Sequence, residues 1–376
     1  EGESPNASPF AAPSNASYYQ NNTIGEMNAP MSSFYGNYNL RISTTAQPKT
    51  PMLERKPPRS RMNFSPPSPE APKEISRFEQ DFDIIGTLGS GCFGTVYKCL
   101  SRLDGCTYAI KAAKHRAKGN LARTRMLQEV KALAELSDVS DMAAFHIVRY
   151  HQAWIEDDRL HIVTDLCHST LHVEMSKGFL KHEARQYKLL REMLLALKLI
   201  HQHGKVHLDI KPENIFLKDD KFKLGDFGLV VEESTVGEVQ EGDSRYMCKD
   251  LLSGNHRDLT KCDIFSLGIT MYEIVVNRPL PLDGQEWQDL RAGRLGPLPG
   301  TPPELQKIIR QMMHEDAKNR PTAAELLTRR QLLSDEQKKL IMEQNKAKEA
   351  KEALEANLRK LTPPRRLLQR ANTCPR

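Results

Sequence analysis

Four polar residues have the types and the spacing in sequence that phosphoryl transfer requires. The stretch "HLDIKPEN" contains Asp209, Lys211 and Asn214, and Asp226 opens "DFG" further along the chain. A transferring phosphoryl group spreads charge over its oxygens, so its catalysis depends mainly on positioning and charge neutralisation. Asp209 is therefore predicted to orient an acceptor hydroxyl and take its proton, and Lys211 to neutralise the phosphoryl group. Asn214 and Asp226 are predicted to hold Mg²⁺ against the phosphates.

A glycine-rich stretch could provide the phosphate-binding end of such a site. "LGSGCFGTV" begins at Leu88, ends at Val96 and contains Gly89, Gly91 and Gly94 in the order G-x-G-x-x-G-x-V. Glycines let the backbone approach phosphates closely. The same glycines also occur in dinucleotide sites, where a helix follows the third glycine. Here "TVYKCL" continues as a strand, which favours a cradle for the phosphates of ATP, formed from Leu88 to Val96.

A lysine follows in the next predicted strand. Lys111 ends "YAIK" and is predicted to hold the α- and β-phosphates of ATP. Such a lysine needs a carboxylate to fix it. Glu129 in the helical pattern "LQEVKAL" is the preferred partner. Glu135 is the competitor, but it lies six residues later and would point to a different part of the helix surface.

The elements around these motifs predict an α+β chain with two lobes. Residues 82–114 alternate as strands, with a hairpin turn at Asp104-Gly105. A helical pattern covers residues 122–136, two more strands end near Cys167, and helical patterns dominate afterwards. A strand-rich part followed by a helical part predicts a β-rich N-lobe (77–166), a helical C-lobe (167–331) and a cleft between them.

The N-terminal residues 1–76 are predicted to be a disordered regulatory tail. Residues 1–75 hold 12 of the 23 prolines and show little apolar periodicity, so they cannot bury enough surface to offset their ordering entropy. We expect upstream proline-directed kinases to act on the tail, because phosphates there would not break a fold. The Ser-Pro and Thr-Pro sites begin at Ser4, Ser8, Thr50, Ser65 and Ser68.

Residues 332–376 are predicted to form a charged helix and a basic tail. Apolar residues recur every seven positions, at Leu333, Leu340, Ala347, Leu354 and Leu361. A coiled coil needs a second apolar position in each heptad, and Gln344 and Lys351 occupy that position here. A single solvated helix is therefore preferred over a dimer seam.

Composition narrows the remaining classes of function. None of the seven cysteines belongs to a C-x-x-C pair, which argues against a zinc site or a disulfide framework. No apolar run approaches the roughly 18 residues that a membrane helix needs, so no membrane anchor is predicted. The net charge of +6 is mild and does not indicate nucleic acid as a partner.

Six motifs together resemble the Wee family of mitosis-inhibiting protein kinases, over about Phe78 to Leu332. They are "RLDGCTYAIK", "RYHQAWIEDD", "HLDIKPENIFL", "KLGDFGLVVE", "EGDSRYM" and "GQEWQDLRAGRLGPLP". The resemblance implies the bilobal protein kinase fold, with ATP and Mg²⁺ as cofactors. It also implies a substrate, the inhibitory tyrosine of a cyclin-dependent kinase in complex with its cyclin. Phosphorylation of that tyrosine delays mitosis.

The resemblance also assigns residues and a location. It implies a hinge at residues 165–167, with Asp165 and Cys167 binding the nucleotide and Thr164 as the gatekeeper. The charged stretch after the domain resembles the soluble nuclear branch more than its membrane-associated relative. Basic clusters at residues 55–61 and 363–370 fit nuclear import. The expected location is the nucleus, with the cytoplasm as a second compartment.

Leu208 stands where most protein kinases have an arginine that binds a phosphate on the activation segment. We therefore expect the segment from Asp226 to Asp250 to hold its shape through its own packing. Control would come from the tail, the abundance of the protein or its partners. Asp250 is predicted to pair with Arg320, and Asp263 to brace the catalytic loop from below.

Two alternatives remain open from the sequence. "DIKPEN", with Lys211, is the pattern of Ser/Thr kinases, so tyrosine specificity comes from the family resemblance alone and dual specificity is a rival reading. The other alternative is a nucleotide-binding pseudokinase scaffold without catalysis. Every catalytic position holds a competent residue, which argues against that scaffold.

Overall fold

The computed structural model describes residues 75–91, 93–116, 119–234, 242–254 and 257–361. The chain divides into two units, Glu1–Ala46 and Gln47–Arg376, and all described residues belong to the second. The predicted N-terminal tail up to residue 74, its Ser-Pro and Thr-Pro sites and both basic clusters lie outside the described residues.

The N-lobe is a five-stranded antiparallel sheet in the order β1-β2-β3-β5-β4, with two helices. Its elements are α1 (Arg77–Asp81), β1 (Phe82–Ser90), β2 (Gly94–Ser101), β3 (Thr107–Ala113), α2 (Asn120–Ser137), β4 (Tyr150–Glu156) and β5 (Arg159–Asp165). The predicted turn joins β2 to β3. Gly105 has φ +68°, a conformation that glycine adopts without strain, and the Asp104 carboxylate accepts a hydrogen bond from Cys106 N at 2.8 Å.

Two apolar clusters hold the N-lobe. One lies within the sheet and includes Phe82, Ile110 and Trp154. The other is the main core of the chain, to which α2 contributes Leu133 and Leu136 from one helical face. Because the helix that carries Glu129 packs into the same core as the C-lobe, its position relative to the cleft is fixed by apolar burial.

The C-lobe is mostly helical, as the sequence predicts. Its elements are β6 (Ser169–Thr170), α3 (Leu171–Ser176), α4 (Glu183–Gln202), β7 (Lys205–Val206), β8 (Ile215–Lys218), β9 (Lys221–Leu224), β10 (Val231–Glu232), α5 (Lys249–Leu252), α6 (Leu259–Val276), α7 (Gly284–Arg291), α8 (Pro303–Met312), α9 (Ala323–Leu327) and α10 (Asp335–Leu361). Helix α6 is apolar around nearly its whole circumference and lies at the centre of the lobe. The short strands β6 to β10 were not predicted, because two to four residues are too few to show an alternating pattern.

Helix α10 extends from the lobe, with its side chains exposed from Asp335 to Leu358. A helix was predicted for this stretch, and the preference for a single helix over a dimer seam stays a prediction. Within the described residues, no helix combines the length and apolar character needed to span a bilayer. The α+β fold with a β-rich N-lobe and a helical C-lobe is confirmed.

Candidate active site

The pairing of strands β1, β2 and β3 places predicted phosphate-binding residues side by side across the sheet. Gly89 on β1 pairs with Val96 on β2, and Val96 pairs with Lys111 on β3. A Cβ at Gly94 would lie 2.6 Å from Ala112 O, so only glycine fits between these strands. A Cβ at Gly89 would meet nothing within 4 Å, which leaves open space over this backbone. The same is true of Gly91, and Leu88 is half exposed beside it.

Lys111 lies between two carboxylates. Its Nζ is 2.8 Å from Glu129 Oε1 and 2.8 Å from Asp226 Oδ1. Of the two glutamates considered from the sequence, Glu129 is the one that reaches Lys111. Glu135 instead binds Lys205 Nζ at 2.7 Å. The N-lobe lysine and the DFG aspartate, 115 residues apart, therefore meet in one cluster.

The charges of this cluster are strongly coupled. Burial opposes the charge of Lys111, but the two carboxylates outweigh it and raise the pKa of the ammonium. Burial also acts to raise the pKa of Asp226, yet the adjacent Lys111 charge lowers it below its ordinary value. The pKa of Glu129 is raised, first by burial and then by the negative charge of Asp226, against the lowering effect of Lys111. The lysine and the DFG aspartate are therefore both ionised near neutral pH.

The catalytic loop is held from beneath by one buried carboxylate, as the sequence predicted. Asp263 on α6 accepts hydrogen bonds from the backbone N–H groups of His207 (2.9 Å) and Leu208 (2.8 Å). His201 Nε2 is 2.8 Å from the same carboxylate. Leu208 has φ +65°, which is strained for a leucine, and its side chain is buried in the main core. The residue that replaces the usual arginine is thus an apolar anchor of the loop.

Asp209 lies at the centre of a small hydrogen-bonded group. Lys211 Nζ is 2.9 and 2.8 Å from its two carboxylate oxygens. Asn214 Nδ2 donates to Asp209 Oδ2 at 2.7 Å and to Asp209 O at 2.8 Å. Because the amide nitrogen of Asn214 is committed to Asp209, its amide oxygen is the atom left to bind a cation.

The predicted metal-binding residues are joined through the backbone. Gly225 N donates to Asn214 O at 2.9 Å, and His207 Nε2 contacts Gly225 O at 3.1 Å. Asp226 follows with φ +57°, a left-handed conformation that turns the chain sharply after Gly225. An amide oxygen and an ionised carboxylate are ligands that suit a hard divalent cation bound together with phosphates. These residues fit the ATP and divalent metal that the fold implies.

Neither the side chain nor the backbone N–H of the hinge residue Asp165 is left for a nucleotide, because the N–H donates to Arg149 O at 2.9 Å. Burial acts to raise the pKa of this carboxyl, but hydrogen bonds from His151 and Lys218, each at 2.8 Å, lower it to about 2. Burial raises the pKa of the Cys167 thiol to about 11, so the thiol stays protonated. Thr164, the predicted gatekeeper, donates through Oγ1 to Ala109 O on β3 at 3.5 Å.

The described end of the activation segment lies against the catalytic loop. A Cβ at Gly242 would lie 3.0 Å from Asp209 Oδ1 and 3.0 Å from Leu208 O. The next residues are held by side chains: Arg245 Nε bonds the Asp243 carboxylate at 3.0 Å, and Tyr246 Oη donates to Glu273 at 2.8 Å.

The end of the segment is tied to the body of the lobe by the predicted ion pair. Arg320 Nη2 is 2.8 Å from Asp250 Oδ2, and the guanidinium is fully buried. The shorter Asp therefore reaches Arg320 in the place where most kinases have a Glu.

Several residues of this region were not singled out from the sequence. His207 supports the DFG backbone, and the pair of Asp243 and Arg245 shapes the surface beside Asp209. Their only sequence signal was membership in the motifs "HLD" and "EGDSRYM". Arg291 on α7 also contacts this segment, and its only sequence signal was membership in the motif "GQEWQDLRAGRLGPLP".

Comparison with known families settles the class. The protein kinase domain family matches residues 82–332. The chain belongs to the protein kinase family. The match spans both lobes, from the first strand of the N-lobe to Leu332, the buried residue before α10.

Within that family the kinase resembles Wee-type enzymes. It is 38% identical over 256 residues to a Wee1-like protein kinase of Arabidopsis thaliana, covering 67% of this chain and 50% of the relative. A Wee1-like protein kinase of Drosophila melanogaster is 36% identical over 291 residues, with 68% and 46% covered. A "Membrane-associated tyrosine- and threonine-specific cdc2-inhibitory kinase" of the same species is 36% identical over 260 residues, with 68% and 48% covered. These matches support the predicted Wee family, and the kinase spans about half the length of the relatives it matches.

Proposed function

We propose that this kinase transfers the γ-phosphate of ATP to the inhibitory tyrosine of a cyclin-dependent kinase bound to its cyclin, and so restrains mitosis. The observation that carries the proposal is the joining of Lys111, Asp226, Asn214 and Asp209 in one hydrogen-bonded region between the lobes. The choice of target is supported by the similarity to Wee1-like kinases and to a kinase named as cdc2-inhibitory.

Each residue of the site has a role in this proposal. The open backbone at Gly89 and Gly91 admits the triphosphate, and Lys111, fixed by Glu129, holds its α- and β-phosphates. Asn214 and Asp226 hold Mg²⁺, which neutralises charge on the phosphates when bound. The pKa of Asp226 is lowered, so this ligand remains ionised at neutral pH.

On the acceptor side, Asp209 accepts the proton of the phenol. Its carboxylate is fixed by two neighbours, Lys211 and Asn214, so little reorganisation is needed when the acceptor arrives. Lys211 is also placed to neutralise charge on the transferring group. The surface of residues 242–246 lies beside Asp209 and supports the acceptor peptide in this proposal.

The test is a transfer assay on a cyclin-dependent kinase–cyclin complex whose loop tyrosine is changed to phenylalanine. We expect labelled phosphate on the wild-type target and none on the tyrosine variant. Asp209→Asn in this kinase should abolish transfer and keep nucleotide binding. Equal labelling of both targets would contradict the tyrosine assignment. Equal transfer by Asp209→Asn and wild type would contradict the catalytic role.

A second candidate is dual specificity for threonine and tyrosine. Lys211 bonds both oxygens of Asp209, the arrangement expected from the Ser/Thr pattern of the loop. One relative is named as both tyrosine- and threonine-specific. Phosphoamino-acid analysis of the labelled target distinguishes the two, because phosphothreonine together with phosphotyrosine supports the second candidate.

Two further parts of the proposal concern residues outside the described structure. Proline-directed kinases would phosphorylate the N-terminal tail, and the basic clusters would direct the protein to the nucleus, with a cytoplasmic fraction. Substituting alanine at the five Ser-Pro and Thr-Pro positions tests the first. Fluorescence microscopy of tagged chains without residues 55–61 or 363–370 tests the second.

A further inference from the structure

One buried arginine in the C-lobe has no carboxylate as a hydrogen-bond partner among the residues that the structure describes. Arg291 closes helix α7 and is only 3% exposed. In the described part of the chain no carboxylate accepts a hydrogen bond from it, and burial lowers its pKa to about 10. Buried guanidinium groups normally pair with a carboxylate, as Arg320 does with Asp250 in the same lobe. The unpaired position of Arg291 therefore needs another explanation.

The partners of Arg291 are backbone carbonyls of the activation segment. Its Nη2 donates to Ser244 O at 2.5 Å and to Arg245 O at 2.7 Å. The guanidinium lies over the Trp287 ring at 3.9 Å, and Nη1 donates to Trp287 O at 3.0 Å. The stacking and the bond to Trp287 hold the guanidinium on its own helix. Nη2 alone then donates to, and so clamps, two consecutive residues of the activation segment, which lie 47 and 46 residues earlier in the chain, whereas the buried Nε has no hydrogen-bond partner among the described residues.

The two residues bound by Arg291, Ser244 and Arg245, lie close in the chain to the part of the segment that contacts the catalytic Asp209. Gly242, two residues before Ser244, comes against Asp209 Oδ1 and Leu208 O. Arg245 is bonded to Asp243, and Tyr246 is fixed by Glu273. Any shift of the backbone at residues 244–245 would therefore move the surface that an acceptor peptide meets next to Asp209.

The clamp also answers the question raised by Leu208. A kinase with an arginine at that position can order its activation segment through a phosphate. Here the residue is an apolar anchor in the core, so it offers the segment no charged group. Arg291 approaches the segment from α7 and binds carbonyl oxygens, which are present whether or not a hydroxyl is phosphorylated.

We propose that Arg291 is a positioning residue that holds the acceptor surface of residues 242–246 in its working place without a phosphate. The inference rests on the proposed function only in taking that surface as the acceptor site. It predicts that loss of Arg291 impairs use of the protein acceptor and leaves use of ATP unchanged.

The experiment compares Arg291→Met and Arg291→Lys in the full chain. Methionine keeps the apolar stem and removes every donor, whereas lysine can still reach the two carbonyls with one ammonium. Arg294→Met is the matched control, because Arg294 is exposed and pairs with Asp289 on the surface. Backbone hydrogen exchange over residues 243–247 is measured first, since it does not depend on activity.

We expect faster exchange over residues 243–247 in Arg291→Met, a smaller change in Arg291→Lys, and none in the control. The KM for the acceptor should rise about tenfold in Arg291→Met, the effect of losing bonds from a charged donor, with an unchanged KM for ATP.

Three results would overturn the inference: unchanged exchange in both variants, a parallel rise of both KM values, or failure of both variants to fold. Absence of transfer by the wild type would contradict the proposed function instead. The exchange measurement would still decide the role of Arg291.

Discussion

At the scale of single residues, the nucleotide end of the site depends on one ammonium shared by two carboxylates. Lys111 neutralises Glu129 and Asp226, which would otherwise repel each other in a buried cluster. The arrangement couples the N-lobe to the DFG stretch through a charge. It therefore links nucleotide binding to the relative placement of the lobes.

Lys111→Met should leave the two carboxylates without their cation and remove a contact to the phosphates. We expect transfer to fall by about 100-fold or more. Steady-state phosphorylation of the acceptor measures this effect. Lys98→Met, on the neighbouring strand β2, is the control and should change the rate little. Equal losses in both variants would show that the effect comes from the sheet and not from the site.

Leu208→Arg should not restore regulation by phosphate. The position is buried, so an arginine there would carry an unpaired charge into the core and cost roughly 3 kcal/mol or more of unfolding free energy. Leu208→Met, of similar volume, should cost less than about 1.5 kcal/mol. Urea denaturation measures both. An arginine variant as stable as the wild type would contradict the packing role of Leu208.

His146 should make the stability of the kinase dependent on pH. Burial lowers its pKa from 6.5 to about 4, with nearby Lys223 and Arg191 adding to this against the bond to Phe222 O. As the pH falls below 6.5, His146 becomes protonated in the unfolded chain but stays neutral in the folded chain. Stability is therefore lost between pH 6.5 and 4, by at most about 1.4 kcal/mol per pH unit from this residue.

His146→Gln removes the titration and keeps a donor for Phe222 O. We expect a shallower dependence of unfolding free energy on pH from 6.5 to 4, with no change in slope above pH 7. Guanidinium denaturation at a series of pH values measures it. An unchanged slope in the variant would assign the dependence to other groups.

At the scale of elements, the end of the activation segment offers a contrast between two neighbouring ion pairs. In the Arg320–Asp250 pair the guanidinium is fully buried, whereas both side chains of Lys249–Glu315 are exposed, and the two pairs join the same two regions. Arg320→Met should cost about 3 kcal/mol or more, because it leaves Asp250 and several carbonyls without a donor. Lys249→Met should change the free energy of unfolding by less than about 0.5 kcal/mol. Thermal unfolding compares them. Similar losses would contradict the role of burial.

The elements also show how far the sequence could predict this molecule. The alternating pattern predicted β1 to β5 and the Asp104-Gly105 turn, since each strand there is long enough to show its period. The motif order predicted Glu129 as the partner of Lys111 and the pairing of Asp250 with Arg320, but not the direct bond between Lys111 and Asp226. The clamp of Arg291 could not be predicted, because its partners are backbone carbonyls of no particular residue type.

At the scale of the whole molecule, the stability of the kinase domain should not depend on α10. Leu332, before the helix, is buried and its carbonyl accepts a bond from Arg191 Nε at 3.0 Å, whereas α10 is solvated. A chain that ends at Ser334 should keep its unfolding temperature. One that ends at Arg329 should lose about 2 kcal/mol, because Leu332 is no longer buried. Equal stability of the two chains would contradict this boundary.

The narrow gap at Gly242 has a practical consequence. Asp209 is held on two sides by Lys211 and Asn214, so it cannot retreat from an added methyl group. In Gly242→Ala the backbone at residue 242 must therefore move away from Asp209. The cluster around Lys111 is not in contact with the added methyl group and should keep its geometry. We therefore expect Gly242→Ala to be a separation-of-function variant that still binds ATP but no longer phosphorylates its protein target.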